Sequence, residues 1–321
     1  MTRPVPPVVD SVLELIGHTP IVRLRRISGA EDAEIFAKLE FMNPGFSVKD
    51  RIGLGMIRRA ERDGLLREGG TIIEPTAGNT GIGLALAGSQ LGYRVILCVP
   101  ENFSQEKREI MKALGGELIL TPADSGIRGA IEKAEALAAE IPGSYVPQQF
   151  CNPYNSDSHF ETTGPEIWEQ MEGRIDAFVA GAGSGGTFTG VARYLRERLP
   201  ELHCAIVEPE GSVLGGGVAG PHDVEGIGAS FIPPVLDMSI ADEVITIFDP
   251  PAYAMVARLA SEEGILGGSS AGANVAAALQ VAQRLGRGKR VVTVIPDLAE
   301  RYISKGIFSK WREEIPPDPA V

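Results

Sequence analysis

The segment TIIEPTAGNTGIGLALAGSQLGYRVILCVP, residues 71–100, has the pattern of a strand, a helix and a second strand. Residues 71–76 and 94–100 are short runs rich in β-branched and apolar side chains, which favour strands. Residues 81–92 form an apolar helix-like stretch that ends at a glycine. Apolar strands that alternate with helices are typical of parallel sheets covered on both faces. This segment therefore predicts an α/β fold.

The same alternation continues along the chain. Further strands are expected at 117–121, 176–183, 203–209 and 290–296, and further helices at 104–116, 187–200, 251–264 and 272–286. These units are too numerous for one modest sheet, so we predict two α/β domains. Each would contain a mostly parallel, twisted sheet flanked by helices, with the crossover near residues 147–155.

Composition limits the classes of function. The 321 residues carry a formal net charge of -12, which argues against binding to nucleic acid or to an anionic membrane. No apolar run approaches the ~18 residues of a membrane span, and the amino terminus lacks the apolar core of a secretory signal. Cys98, Cys151 and Cys204 are far apart and indicate free thiols, with Cys151 expected to be buried. The four histidines lack metal-site spacing, so no metal site is expected, and the expected location is the cytoplasm.

A glycine-rich loop, GAGSGGTFTG at 181–190, follows one predicted strand and opens a helix. Gly181, Gly183 and Gly186 fit the GxGxxG pattern of a dinucleotide site, and Glu208 lies where a ribose-binding acid would be expected. The loop is also compatible with a tight turn that binds nothing. A third interpretation is a cradle for a single phosphate at the helix N-terminus, closed by Gly185, Gly186 and Thr187.

A second loop, EPTAGNTGIGLA at 74–85, has the same position between a strand and a helix. By itself it could be only a helix start capped by Asn79 or Thr80. Lys49, in NPGFSVKDR at 43–51, could likewise be a solvated charge or a nucleophile at the start of a helix. Two anion sites and an isolated lysine together suit a ligand with a phosphate and a carboxylate, and this points to pyridoxal phosphate with an amino acid attached.

Seven motifs together resemble one known family. They are NPGFSVKDR, EPTAGNTGIGLA, TTGPEIWE, GAGSGGT, GIGASFIP, GGSSAGANVAAAL and ERYIS, and the similarity runs from about residue 14 to 308. In this order they resemble the cysteine synthase (O-acetylserine sulfhydrylase) and cystathionine β-synthase family. This is a family of fold-type II pyridoxal-phosphate enzymes with a tryptophan synthase β-like fold. The ordered set argues against the dinucleotide interpretation.

The resemblance implies a role for each matching position. Lys49 would be the catalytic residue and would form the Schiff base with pyridoxal 5'-phosphate, and Asn79 would bind the ring hydroxyl. Ser270 would meet the pyridine nitrogen; because it is neutral, it suits elimination better than transamination. The phosphate loop would be Gly183, Ser184, Gly185, Gly186 and Thr187. The substrate would be bound by Thr76, Ala77, Gly78, Thr80, Gln149 and Gly226.

The resemblance also implies an activity and a domain organisation. The reaction would be β-replacement, forming L-cysteine from O-acetyl-L-serine and sulfide via an aminoacrylate intermediate. Residues 1–45 would pack with the C-terminal domain. Residues 46–150 would form a smaller domain that carries the substrate loop and moves, and residues 151–321 a larger domain that carries the phosphate loop. A homodimer is expected, and the tail of serine acetyltransferase is a candidate partner.

Three departures leave the acceptor substrate open. Ala77 stands where many cysteine synthases have serine. Glu225, in VEGIG, resembles cystathionine β-synthases, whereas the following GIGAS resembles cysteine synthases. The alternative is therefore a cystathionine β-synthase that joins serine or O-acetylserine to homocysteine, and cysteine desulfhydrase activity would use the same intermediate. A purely binding role is also conceivable, but a scaffold would not require Lys49.

Overall fold

The computed structural model describes residues 8–76 and 78–310. Within them the strands are β1 (Ile21–Leu24), β2 (Glu34–Leu39), β3 (Thr71–Pro75), β4 (Arg94–Pro100), β5 (Glu117–Thr121), β6 (Ala177–Gly181), β7 (His203–Pro209), β8 (Glu243–Ile247) and β9 (Arg290–Ile295). The α-helices are α1 (Lys49–Arg62), α2 (Asn79–Gln90), α3 (Gln105–Ala113), α4 (Gly126–Glu140), α5 (Pro153–Glu161), α6 (Thr163–Gln170), α7 (Gly186–Arg196), α8 (Asp249–Glu263) and α9 (Ser269–Leu285).

The strands form two sheets. The larger has the order β1-β2-β9-β6-β7-β8, and the smaller has the order β3-β4-β5. All pairings are parallel except that of β1 with β2, which is antiparallel at the edge of the larger sheet. The α/β fold class is therefore confirmed. The strands of the N-terminal segment belong to the larger sheet, while the domain boundaries at 45 and 150 stay predictions.

Helices cover both faces of each sheet, which explains why the central strands are mostly apolar. In the larger sheet, α8 and α9 pack on one face and α6 and α7 on the other. In the smaller sheet, α1 and α2 pack on one face and α4 on the other. Alanines make up much of α9, and their small side chains let this helix lie deep against the sheet, with 12 of its 17 residues buried.

Several predicted elements have the predicted bounds, and others do not. Strands at 94–100, 117–121 and 203–209 are confirmed residue for residue. The helices predicted from 81 and 272 begin earlier, at Asn79 and Ser269, because the chain already turns helical after the extended residues Gly78 and Gly268. Among the described residues, no helix combines the length and the apolar character needed to cross a membrane.

Candidate active site

The site lies where the carboxyl ends of strands from both sheets meet. The loop after β3 leads into α2, the loop after β6 leads into α7, and β9 ends at Ile295 beside the start of α1. The backbone N–H of Val48 donates to the carbonyl of Pro296 over 2.8 Å, which ties the start of α1 to the end of β9. Ligands of open α/β sheets bind at such carboxyl ends.

Lys49 is the first residue of α1 and lines a cavity bounded by the glycine-rich loop after β6. Burial lowers the pKa of the Lys49 amine to about 8, and the negative charge of Asp297 opposes this decrease. An amine with a pKa near 8 has a substantial neutral fraction at physiological pH, whereas an ordinary lysine has almost none. The environment therefore suits a nucleophile better than a solvated charge.

The loop between β6 and α7 has the features of a phosphate cradle. Gly185 caps α7 in a left-handed conformation, with φ of 87°, which only glycine adopts easily. Among the described residues no side chain caps α7, so its first-turn backbone N–H groups lack a side-chain partner, and Gly185 and Thr187 at this helix start line the cavity. A Cβ on Gly183 would lie 2.5 Å from the carbonyl oxygen of Gly226, so this close approach also requires glycine. Ser184 and Thr187 add hydroxyl groups to the same loop.

A histidine that the sequence analysis did not assign supports this loop. His159 is fully buried on α5, and its Nε2 lies 3.1 Å from the Thr187 hydroxyl. Its other ring nitrogen, Nδ1, lies 2.8 Å from the Thr163 hydroxyl. Burial, reinforced by the nearby charge of Arg51, lowers the pKa of His159 to about 3, so the ring is neutral. A neutral ring that hydrogen-bonds Thr187 fixes the orientation of that hydroxyl.

The loop after β3 supplies the second predicted anion site. The Thr80 hydroxyl donates to Gln149 Oε1 over 2.7 Å, so the structure brings these two predicted substrate residues together. The backbone N–H of Gly78 lies 3.4 Å from the Thr76 hydroxyl oxygen. Ala77 lies outside the described residues.

Glu74 holds the segment that carries Gln149. Its carboxylate accepts the backbone N–H groups of Gln148, over 2.8 Å, and of Gln149, over 3.2 Å. Burial raises the pKa of Glu74 to about 7, while these two hydrogen bonds oppose the increase. The sequence analysis did not single out Glu74, although it begins the motif that was quoted.

The remaining predicted residues are Ser270, Gly226 and Asn79. Ser270 is buried in the first turn of α9, and Gly226 contributes to the cavity wall. Asn79 begins α2; its side-chain amide donates to Asp297 over 2.7 Å and accepts from the Arg301 guanidinium. The donor set therefore fits a group with a phosphate, a polar ring and an aldehyde: uncapped N–H groups, hydroxyls, an amide and one amine.

Glu225 lies next to Gly226 and binds two lysines from different parts of the fold. Lys107, on α3, approaches the Glu225 carboxylate over 3.3 Å, and Lys305 forms the second ion pair. Burial alone would raise the pKa of Glu225, but the two ammonium groups hold it below its ordinary value. A carboxylate and a buried ammonium group thus stand together beside the cavity wall.

A buried ion cluster fixes the start of α1. Arg51, two residues after Lys49, forms ion pairs with Glu40 and Glu166, each over 2.7 Å. Lys38 is fully buried and contacts Glu166 at 2.7 Å. The cluster joins β2, α1 and α6, so it anchors the backbone that presents Lys49.

Two predictions about other side chains have opposite outcomes. Cys98, Cys151 and Cys204 are free thiols, as predicted, but the expectation that Cys151 is buried is wrong. Cys151 lies in the turn that precedes α5, where its side chain is exposed.

Within residues 8–76 and 78–310, no group of histidine, cysteine and acidic side chains has the arrangement of a metal site.

Comparison with known proteins decides the family. A family model described as pyridoxal-phosphate dependent enzyme matches residues 12–297. The chain belongs to this family. It is 50% identical over 301 residues to an O-acetylserine-dependent cystathionine β-synthase of Bacillus subtilis, covering 94% of this chain and 98% of that protein. It is 49% identical over 303 residues to a cysteine synthase of Staphylococcus aureus, covering 94% and 97%.

A solved structure gives the same result. The crystal structure of an O-acetylserine-dependent cystathionine β-synthase from Helicobacter pylori matches with a TM-score of 0.89 and 47% identity, covering 94% of this chain and 99% of that one. The resemblance to the cysteine synthase and cystathionine β-synthase family is therefore confirmed. The chain is a pyridoxal-phosphate-dependent β-replacement enzyme, and the dinucleotide and binding-only interpretations are set aside.

Proposed function

We propose that this enzyme forms L-cysteine from O-acetyl-L-serine and sulfide, with Lys49 as its catalytic residue. The observation that carries the proposal is the Lys49 amine, whose pKa is lowered to about 8, facing the uncapped start of α7 across one cavity. The identity to a cysteine synthase supports sulfide as the acceptor.

Lys49 would hold the cofactor and then carry the proton of the substrate Cα. At pH 7.5 a pKa of about 8 leaves about a quarter of the amine neutral, compared with about 0.1% for a pKa of 10.5. The neutral amine would hold the cofactor, and a neutral amine at this position would also accept the proton of the substrate Cα. The resulting ammonium group would return a proton to the same carbon at the end of the reaction.

The other residues would bind and orient. When bound, pyridoxal phosphate supplies an electrophilic aldehyde and a ring that withdraws electrons. The phosphate would bind Gly183, Ser184, Gly185, Gly186 and Thr187, the ring hydroxyl would bind Asn79, and Ser270 would meet the ring nitrogen. The substrate carboxylate would bind the loop of Thr76, Ala77, Gly78 and Thr80 together with Gln149, with Gly226 on the opposite side.

The ion pairs of Glu225 favour homocysteine as a second acceptor. Sulfide presents no charged groups other than its own sulfur, whereas homocysteine brings an ammonium and a carboxylate that need partners in a partly buried site. Glu225 could accept the ammonium and Lys107 the carboxylate, since both stand beside Gly226. Relatives of both kinds match the chain with nearly the same identity.

One set of assays tests both proposals. Lys49→Ala should abolish β-replacement with either acceptor while its circular dichroism stays unchanged, and undiminished turnover would refute the assignment of Lys49. With the unmodified enzyme, a higher kcat/KM for sulfide than for homocysteine supports cysteine synthase, and the reverse supports cystathionine β-synthase. Sulfide release from cysteine alone measures desulfhydrase activity.

We also propose, from the family resemblance, the homodimer, the division at residues 45 and 150 and the cytoplasmic location. Light scattering on the purified enzyme tests the dimer, because a monomer would have the mass of a single 34.1 kDa chain. A peptide with the C-terminal sequence of serine acetyltransferase tests the candidate partner, and competition with O-acetylserine is the expected result.

A further inference from the structure

Asp297, the residue after Pro296, links the helices α1, α2 and α9, which carry the proposed cofactor residues Lys49, Asn79 and Ser270. Asp297 forms an antiparallel bridge with Ser47, two residues before Lys49. Its carbonyl accepts the backbone N–H of Gly268 over 3.1 Å, just before the helix that carries Ser270. The backbone of Asp297 is thus held between α1 and α9.

The Asp297 side chain reaches the third element. It is 2% exposed, and its Oδ2 accepts from the Asn79 amide over 2.7 Å and from the Tyr302 hydroxyl. Its Oδ1 is buried and has no hydrogen-bond partner among residues 8–76 and 78–310. A buried carboxylate oxygen without a partner is costly, so its retention calls for an explanation.

These contacts determine which way the Asn79 amide points. The carboxylate of Asp297 only accepts hydrogen bonds, and the guanidinium of Arg301 only donates them. The NH₂ group of Asn79 must therefore face Asp297 and its carbonyl must face Arg301. Flipping the amide would place two donors together on one side and two acceptors together on the other. One N–H of Asn79 remains to donate to a ligand.

The charge of Asp297 also acts on Lys49. Burial lowers the pKa of the amine, and Asp297 is the charge that opposes it. His159 also lies within electrostatic range of Lys49 but is neutral. Tyr302, which donates to Asp297, has other charged neighbours: the charge of Glu225 raises the pKa of its hydroxyl and the charge of Arg301 lowers it. The Lys107 ammonium lies 4.4 Å from the Tyr302 ring centre.

We propose that Asp297 is a positioning residue of this site: its carboxylate orients the Asn79 amide and places a negative charge beside the Lys49 amine. The proposal rests on the roles proposed above for Lys49 and Asn79 and adds a residue through which both are controlled. Asp297 itself would not contact the reacting atoms of the substrate.

The test is the pH dependence of cofactor uptake. After removal of the cofactor, the full-length chain is mixed with pyridoxal phosphate between pH 6 and 10, and covalent capture is followed by absorbance. Only the neutral amine reacts, so the midpoint of the rate against pH reports the pKa of the Lys49 amine. Asp297→Asn should lower that midpoint by about one pH unit. Ionisation of the cofactor is common to all variants and cancels in the comparison.

Asp50→Asn is the matched control. Asp50 is as buried as Asp297 and adjacent to Lys49 in sequence, but its carboxylate accepts from the Gly45 N–H and is not among the charges that act on Lys49. This variant should keep the midpoint of the unmodified chain. Asp297→Ser, which is also neutral and smaller, should shift the midpoint as Asp297→Asn does. The prediction can therefore be tested with whichever of the two variants folds.

The amide orientation has a separate spectroscopic readout. Asp297→Asn retains an oxygen that can accept from Asn79, and it should keep the wavelength of the bound-cofactor band. Asp297→Ala removes the acceptor, and it should shift the band and weaken cofactor binding at least about tenfold. If the unmodified chain captures cofactor but the neutral variants keep its midpoint, the role of Asp297 is wrong. If the unmodified chain captures none, the proposed cofactor site itself is wrong.

Discussion

Replacing Glu74 with glutamine should change how the stability of this enzyme depends on pH. Glu74 is 1% exposed and holds the backbone of Gln148 and Gln149. Its pKa is raised from 4.5 to about 7 by burial. The folded chain therefore binds this proton more tightly than the unfolded chain does. Its contribution to stability is fully present below pH 4.5 and is lost as the pH rises through about 7.

The size of the effect follows from these two pKa values. Their difference corresponds to about 3 kcal/mol, at about 1.36 kcal/mol per pH unit, and most of it, about 2–3 kcal/mol, is lost between pH 5 and pH 8. Glutamine does not titrate. It replaces one acceptor with a donor and so weakens the hold on Gln148 and Gln149, but by an amount that does not depend on pH.

The assay is guanidinium unfolding of the cofactor-free chain at pH 5 to 8, followed by far-ultraviolet circular dichroism. The unfolding free energy of Glu74→Gln minus that of the unmodified chain should increase by about 2–3 kcal/mol from pH 5 to pH 8. Glu140→Gln, at an exposed position, is the control and should give a flat difference. A flat or decreasing difference for Glu74→Gln would refute the reasoning.

Three further variants test other parts of the site. Gly183→Ala places a Cβ 2.5 Å from a facing backbone carbonyl oxygen and should weaken pyridoxal phosphate binding at least about tenfold. Gly220→Ala is the control, because its Cβ would have an ordinary 3.6 Å contact, and it should bind the cofactor as the unmodified chain does. Equal dissociation constants for the two variants would contradict this prediction. Arg51→Met leaves Glu40 buried without its main partner and should cost about 3–5 kcal/mol of unfolding free energy, and a loss below about 1 kcal/mol would show that the ion cluster does not anchor α1. Glu225→Gln should raise KM for homocysteine about tenfold or more and leave KM for sulfide unchanged; equal effects on both would remove the argument for homocysteine.

The parallel core of the fold was predictable from local patterns. Strands β4 and β7 contain the uninterrupted apolar runs 95–100 and 204–207, and each strand ends at a proline. Strands β1 and β2 were not predicted, because β1 has only four residues and β2 contains Glu34 and Lys38, which read as surface charges. Lys38 is nevertheless fully buried, since the carboxylate of Glu166, from a distant segment, neutralises it.

The candidate site residues could be proposed from sequence motifs, whereas the residues that contact and support them could not. Glycine loops and a lysine at a helix start have local signatures, whereas His159 and Asp297 act through partners that are far away in sequence. For Asp297 a weak signal existed: an acid directly after an apolar strand lies at the carboxyl end of a parallel sheet, where ligands bind. The exposure of Cys151 depends on the turn before α5, which sequence alone did not define.

The most direct test of the whole account is to locate the covalent attachment of the cofactor. The purified enzyme, loaded with pyridoxal phosphate, is reduced with borohydride, digested and analysed by mass spectrometry. We expect the pyridoxyl phosphate mass on the peptide that contains Lys49, and its loss in Lys49→Ala. A modified lysine elsewhere in the chain, or no modified peptide at all, would contradict the central claim.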